Sequence, residues 1–226
     1  MTLNPRKKWH TVSCNTSLEE ATRTLLRENV ERLYVLEEPS DSKMALDSCE
    51  FVGVYSHSCL IRFLANKFVV PSSADAWGSK SVKELDLVET EFPTISSQDS
   101  CLDAMQLLYA KNVHAVAITE KMPNGGLDLL GSISTSDIKE LFGSRSHWRH
   151  IFDSSFEFFR FMRNEQGIRH GRDAIPSFTV TPETSLISVM KKMTAVKTHQ
   201  IWVLSPDHVV SGVVSCAGIS SVLLTL

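Results

Sequence analysis

The chain has 226 residues, 42% hydrophobic and 22% charged, a soluble globular profile with room for one large domain or two compact ones. Its 23 Lys and Arg against 26 Asp and Glu leave a net charge of −3, without the positive excess of a duplex-DNA binder. No run approaches the roughly 18 apolar residues of a membrane helix, and no apolar stretch follows the basic start MTLNPRKKWH, so cytoplasm or nucleus is the expected compartment.

In chain order, the first predicted elements lie in TVSCNTSLEEATRTLLRENVERLYVL, from Thr11. A β-branched start reads as a short strand, Ser17 with Glu20 as a capping box, and Leu18, Ala21, Thr22 and Leu25 as the buried stripe of a helix. An apolar strand from Leu33 to Leu36 follows, then a second strand and helix in FVGVYSHSCLIRFL. Together these make a β-α-β-β-α unit within residues 1–66. Residues 67–93 read as a linker, holding the turn-prone PSSADAWGSKS and then SVKELDL.

The unit then returns, without a gap, as TISSQDSCLDAMQLLYAKNVHAVAIT from Thr94 and TVTPETSLISVMKKMTAVKTHQIWVL from Thr179. Cys101, Ala104, Met105 and Leu108, then Leu186, Val189, Met190 and Met193, repeat the stripe. Ser100 with Asp103 repeats the capping box, whereas Ser185 has no acid three residues later. The second copy spans 94–143 and closes with LLGSISTSDIKELF; the third spans 179–226 and closes with VVSGVVSCAGISSVLL. The predicted class is α/β (α+β), built from tandem units, the last two pairing as one lobe.

Between those copies, residues 144–178 form a connecting segment whose stretch 144–173 holds six arginines, Trp148 and five phenylalanines. Phe152, Phe156 and Phe159 fall on one helical face and Phe158 and Phe161 nearer the other, so a helix packed between repeats is expected. Arginines interleaved with aromatics also suit single-stranded nucleic acid, the less favoured reading. His147-x-x-His150, with His170 beyond, has metal spacing but no acid or Cys at ligand spacing, so solvated histidines are expected. His57 is read as a ligand contact or a helix-start residue, and Trp202 as core. Five dispersed cysteines without a C-x-x-C pair read as buried, inert thiols. No Gly-rich phosphate loop, G-x-S-x-G elbow or H-E-x-x-H is present, and no residues remain outside the repeats for a catalytic domain.

A β-α-β-β-α repeat ending in an apolar-Ser-x-x-Asp turn resembles the cystathionine-β-synthase (CBS) domain. More narrowly, FVGVYSHSCLIRFLANKFV, SVKELDL and VSGVVSCAGISSVLL resemble the second to fourth repeats of the γ subunit of AMP-activated and sucrose-nonfermenting-type protein kinases. The resemblance implies a non-catalytic subunit, with kinase catalytic and scaffold subunits as partners, that binds AMP, ADP or ATP as a regulatory ligand in clefts between paired repeats. It implies no metal, membrane or nucleic-acid partner. The alternative is a ligand-free scaffold for protein–protein contacts.

Family nucleotide sites use a turn Asp on the ribose hydroxyls, nearby hydroxyl donors and basic groups on phosphate. Carried over, these become Asp137, with Thr94, Ser134 and Thr135, and Arg32 and His199 for phosphate. The Asp position is Cys59 in the first copy and Gly218 in the third, where only Thr11 and Ser56, then Thr179 and Ser215, remain. The family's His-Arg pair appears as Glu31-Arg32, His114-Ala115 and His199-Gln200, and a family lysine corresponds to Ser58. Asp137 fits two roles, helix cap and ribose ligand. The family has four repeats and this chain three; Met1 lies ten residues before the first copy, so no fourth is expected ahead of it. The first copy would then keep an apolar face that a homodimer could cover.

Overall fold

The computed structural model describes residues 9–37, 50–67, 76–143, 145–170 and 178–226. Three repeats are present. The first comprises β1 (Thr11–Ser13), α1 (Leu18–Arg27), β2 (Arg32–Glu37), β3 (Glu50–Ser56) and α2 (His57–Lys67). A short α3 (Ala76–Ser79) precedes the second, which comprises β4 (Thr94–Ser96), α4 (Cys101–Lys111), β5 (Ala115–Lys121), β6 (Leu127–Ser134) and α5 (Thr135–Leu141). A 3-10 helix (Arg145–Phe152) and α6 (Ser155–His170) lead to the third: β7 (Thr179–Val180), α7 (Leu186–Val196), β8 (Gln200–Leu204), β9 (Val210–Ser215) and α8 (Cys216–Leu223).

Each repeat forms its own three-stranded sheet, in the orders β1-β2-β3, β4-β5-β6 and β7-β8-β9. In the first two sheets the opening strand runs parallel to its neighbour and the hairpin is antiparallel, with a register shift after Val35 and, at the equivalent place, after Ile118. The helix that separates the first two strands of each repeat supplies the crossover that a parallel pair requires.

Local chemistry starts the helices as their sequence suggests, with differences of detail. Ser100 and Asp103 form the full reciprocal cap of α4. Ser17 accepts from the Glu20 amide at 3.1 Å, the half of the box that its hydroxyl supplies. Ser185 makes no cap bond to the backbone and instead meets the Ser188 hydroxyl at 2.8 Å. The first helix of each copy ends at a left-handed residue: Asn29, Asn112 and Lys197, with φ of 49°, 51° and 55°. Asparagine tolerates that conformation better than lysine does.

The chain divides into two compact units. One runs to Leu87 and adds Thr184–Gln200 and Val214–Leu226; the other holds Val88–Glu183 and Ile201–Val213. The third repeat is therefore shared, its helices α7 and α8 going with the first repeat and most of its sheet with the second.

In the first unit, Ala21, Leu25, Leu33, Tyr55 and Leu60 form a core on the helical side of the sheet. The Tyr55 hydroxyl meets that of Thr22 at 2.7 Å, which satisfies both buried groups. Helix α2 packs on α7 and α8.

In the second unit, Ile95, Cys101, Ala104, Leu108, Val116, Ile118, Ile133 and Leu141 pack with Phe158, Phe159 and Met162 of α6. The aromatic helix is thus core, as its apolar periodicity suggests. Phe152, by contrast, lies in the preceding 3-10 helix and is exposed. A second cluster, Ala117, Trp202, Val210 and Val213 with Phe92, Leu127, Leu129 and Leu204, joins the sheets of repeats two and three. The last two repeats therefore pair through their sheets, with Trp202 buried between them.

Candidate functional site

Three equivalent turns join the last strand of each repeat to its last helix, and each begins with a serine. In the first, the Ser56 hydroxyl donates to the Cys59 sulfur at 3.3 Å. In the third, Ser215 accepts from the Gly218 amide at 3.0 Å. Only the second turn carries a carboxylate at the third helical position. There Ser134 donates its N–H and its hydroxyl to Asp137 Oδ2, at 2.8 and 2.6 Å, and accepts from the Asp137 amide at 3.3 Å. Asp137 thus completes the reciprocal capping box of α5, the first of the two roles its position fits.

Its other oxygen faces elsewhere. Asp137 is 3% exposed, and Oδ1 accepts from Gln166 Nε2 at 3.2 Å and lies 3.5 Å from Arg163 Nη2. Gln166 is itself held by Arg163 Nη1 at 2.5 Å, and the Arg163 guanidinium lies over the Phe159 ring at 5.2 Å. These two α6 side chains were missed by sequence reasoning. Nothing local links them to a turn more than twenty residues earlier, although the richness of that segment in arginine was plain.

The other carried-over residues divide between the units. Thr94 opens β4 beside Ala117 of β5, and β5 in turn sets Ala115 opposite Ser134. Thr135 begins α5 and donates its backbone N–H to the His114 carbonyl at 2.9 Å. These residues and Asp137 belong to the second unit. Arg32 and His199 belong to the first and are exposed. Arg32 pairs with Ser56 across the hairpin, and His199 Nδ1 lies 2.7 Å from the Ser58 hydroxyl.

That His199–Ser58 contact edges a cavity of about 270 Å³ within the first unit, bordered also by Arg62, Thr194, Lys197 and Cys216. Two cationic side chains at one cavity favour an anionic group. The Thr194 hydroxyl oxygen is buried there without a partner.

His147 and His150 of the connecting segment are not solvated. His150 stacks on Phe161 at 3.8 Å and its Nδ1 meets Asp153 at 2.5 Å, while His147 contacts the edge of the same ring at 5.1 Å and its Nε2 lies 3.8 Å from Glu165. The ring between them supplies the apolar cover that pattern reading missed. Among the described residues no group of three or more His, Cys, Asp or Glu could hold a metal, and no helix is long and apolar enough to cross a membrane.

Cys101 and Cys216 are buried thiols, pushed up to about 12 and about 11 chiefly by burial; the Asp153 and Asp137 carboxylates add to the first. Thiols so raised are poor nucleophiles. Cys14 departs from the expectation and is exposed. Cys49, linker residues 68–75 and the side chain of His170 lie outside the described residues.

Three sheets built to one pattern, with helices that start after equivalent serines, define the fold. Residues 82–144 match the family model of the CBS domain. That span takes in the middle repeat and the Asp137 turn.

Two solved structures share the fold of nearly the whole chain. A crystal structure of an uncharacterized conserved protein from Pyrococcus horikoshii superposes with a TM-score of 0.66 at 16% identity, covering 96% of this chain and 80% of that one. Protein MJ1225 from Methanocaldococcus jannaschii, described there as a proposed archaeal homologue of γ-AMPK, gives 0.66 at 12% identity, covering 96% of this chain and 68% of that one. At such identities the likeness is one of fold.

Among curated proteins, the chain is 28% identical over 155 residues to Protein SDS23 of Podospora anserina, covering 69% of this chain and 29% of that protein. It is 26% identical over 196 residues to Protein sds23 of Aspergillus clavatus, covering 87% and 35%. The chain spans about a third of the length of these relatives.

Proposed function

We propose that the chain is a non-catalytic regulatory module of a protein kinase complex, acting in the cytoplasm or nucleus, whose middle CBS repeat takes the ribose of an adenine nucleotide at Asp137. The observation that carries this reading is the split use of one carboxylate. Oδ2 is committed to the helix cap, which fixes the group in position, while Oδ1 faces two long side chains that can be displaced. A ribose diol offers the hydroxyl donors that Oδ1 accepts, and the Ser134 and Thr135 turn adjoins it. Displacing Arg163 and Gln166 costs about 1–2 kcal/mol, which leaves room for net binding.

A second reading, the ligand-free scaffold, is favoured by a specific observation: both carboxylate oxygens of Asp137 already have internal partners, and Cys59 and Gly218 stand at the equivalent positions. Calorimetry with AMP, ADP, ATP and S-adenosylmethionine separates the two. The nucleotide reading expects saturable heat that falls at least tenfold in affinity in Asp137→Asn, a variant that keeps the size of the capping side chain. Absence of heat from all four with folded protein selects the scaffold.

A further inference from the structure

We propose that the sheet face of the first repeat binds the same face of a second copy of this chain, giving a two-fold dimer. The proposal is independent of the nucleotide reading. It begins from register: aligned on the glycine of each last strand (Gly53, Gly131, Gly212), Phe51 corresponds to Leu129 and Val210, and Val54 to Ser132 and Val213. On the gapless alignment of the copies, Tyr34 corresponds to Ala117 and Trp202, and Trp9 to Phe92.

In repeats two and three all of these positions but Ser132 make one core. Ala117, Trp202, Val210 and Val213 are buried, with Phe92 and Leu129 packed against them. In the first repeat Tyr34 is half-buried and the other positions face solvent: Trp9 is 71% exposed, Phe51 58% and Val54 43%. They are a continuous surface, since Trp9 lies on Tyr34 at 4.5 Å between ring centroids and Tyr34 lies 6.3 Å from Phe51. Monomeric proteins rarely leave such an apolar patch in water.

The chain itself shows what such a face accepts. Asp128 of the second repeat forms an isolated bridge with Val209 of the third, and each stands three residues before its repeat's glycine. Equivalent residues meeting across an interface are the mark of a two-fold relation. A face that pairs with its own kind in this way suits a true two-fold axis, where one patch serves both partners. The exposed parts of three aromatics, each about 150–250 Å² when wholly buried, supply up to about half of the roughly 800 Å² per partner that a stable interface buries, and Val54 extends the patch.

The same register predicts the weak point. Glu50 is the counterpart of Asp128 and Val209, so it meets Glu50 of the second copy at the rim. Like charges there oppose association, and salt screens them. The dimer therefore tightens as salt rises and in Glu50→Gln.

Sedimentation equilibrium of the 226-residue chain from 1 to 100 µM tests this. The expected results are a dimer, at least a hundredfold weaker association in Phe51→Asp, a few-fold tighter association in Glu50→Gln, and no change in Tyr109→Asp, which alters a fully exposed aromatic of the other unit. If Phe51→Asp loses its circular dichroism, Val54→Lys takes its place. A monomer at 100 µM, which would leave the face to some other repeat, overturns the proposal. So does a dimer that both face variants leave unchanged.

Discussion

Asp137 shows how one side chain serves a local and a distant purpose at once. Its backbone position three residues after Ser134 makes it a cap, and the fold adds Arg163 and Gln166 on the oxygen left over. Removing Arg163 leaves Gln166 as the sole α6 donor to Oδ1. Because the guanidinium is about a quarter exposed, the loss is screened, and Arg163→Ala is expected to cost about 1 kcal/mol of stability in urea unfolding. The same variant removes a competitor, so AMP affinity measured by calorimetry is expected to rise several-fold. His57 is a second residue whose setting matters. Its Nδ1 is buried without a partner, and burial holds its pKa below the ordinary 6.5. The unfolded chain therefore binds a proton first as pH falls. Stability is complete above 6.5 and declines as pH drops from there toward the lower folded value. Unfolding curves at pH 7.5 and 5.5 are expected to show this loss, and His57→Gln to reduce it.

At the scale of elements, the three copies diverge most in what covers them, as their equivalent glycines show. A Cβ on Gly131 would stand 2.8 Å from the Phe159 ring of α6, whereas one on Gly53 meets nothing within 4 Å. Phe159 is buried in the second core and has little room to move. Gly131→Ala is expected to destabilise by about 1–3 kcal/mol, the usual cost of overpacking, and Gly53→Ala to be nearly neutral in the same chemical denaturation. The contrast measures how far α6 belongs to the middle repeat. Its periodicity announced a buried helix, because phenylalanines on both faces cannot all remain in water. What that periodicity lacked was the identity of the surface beneath it.

Across the whole molecule, the third repeat does double duty. Its helices pack with those of the first repeat and its sheet with that of the second, so neither unit is a contiguous stretch of chain. Sheet pairing of the last two repeats follows from their apolar strands, but the division of one repeat between two units does not show in any window of sequence. The first repeat's exposed face is a consequence of the same arithmetic. Two sheets satisfy each other and a third, equally apolar, is left over. The dimer expected from that face thus belongs to this scale, since its driving force is area rather than any one contact.

The amino-acid sequence by itself determined the three copies, their capped helices and alternating strands, and the single Asp among three equivalent turns. Each of these rests on interactions between residues a few positions apart, where spacing and side-chain chemistry suffice. Tertiary structure alone decided which groups meet Asp137 Oδ1, that His147 and His150 enclose Phe161, how the third repeat is shared, and which sheet remains bare. Those outcomes depend on surfaces brought together from distant parts of the chain, whose shapes exist only once each repeat has folded.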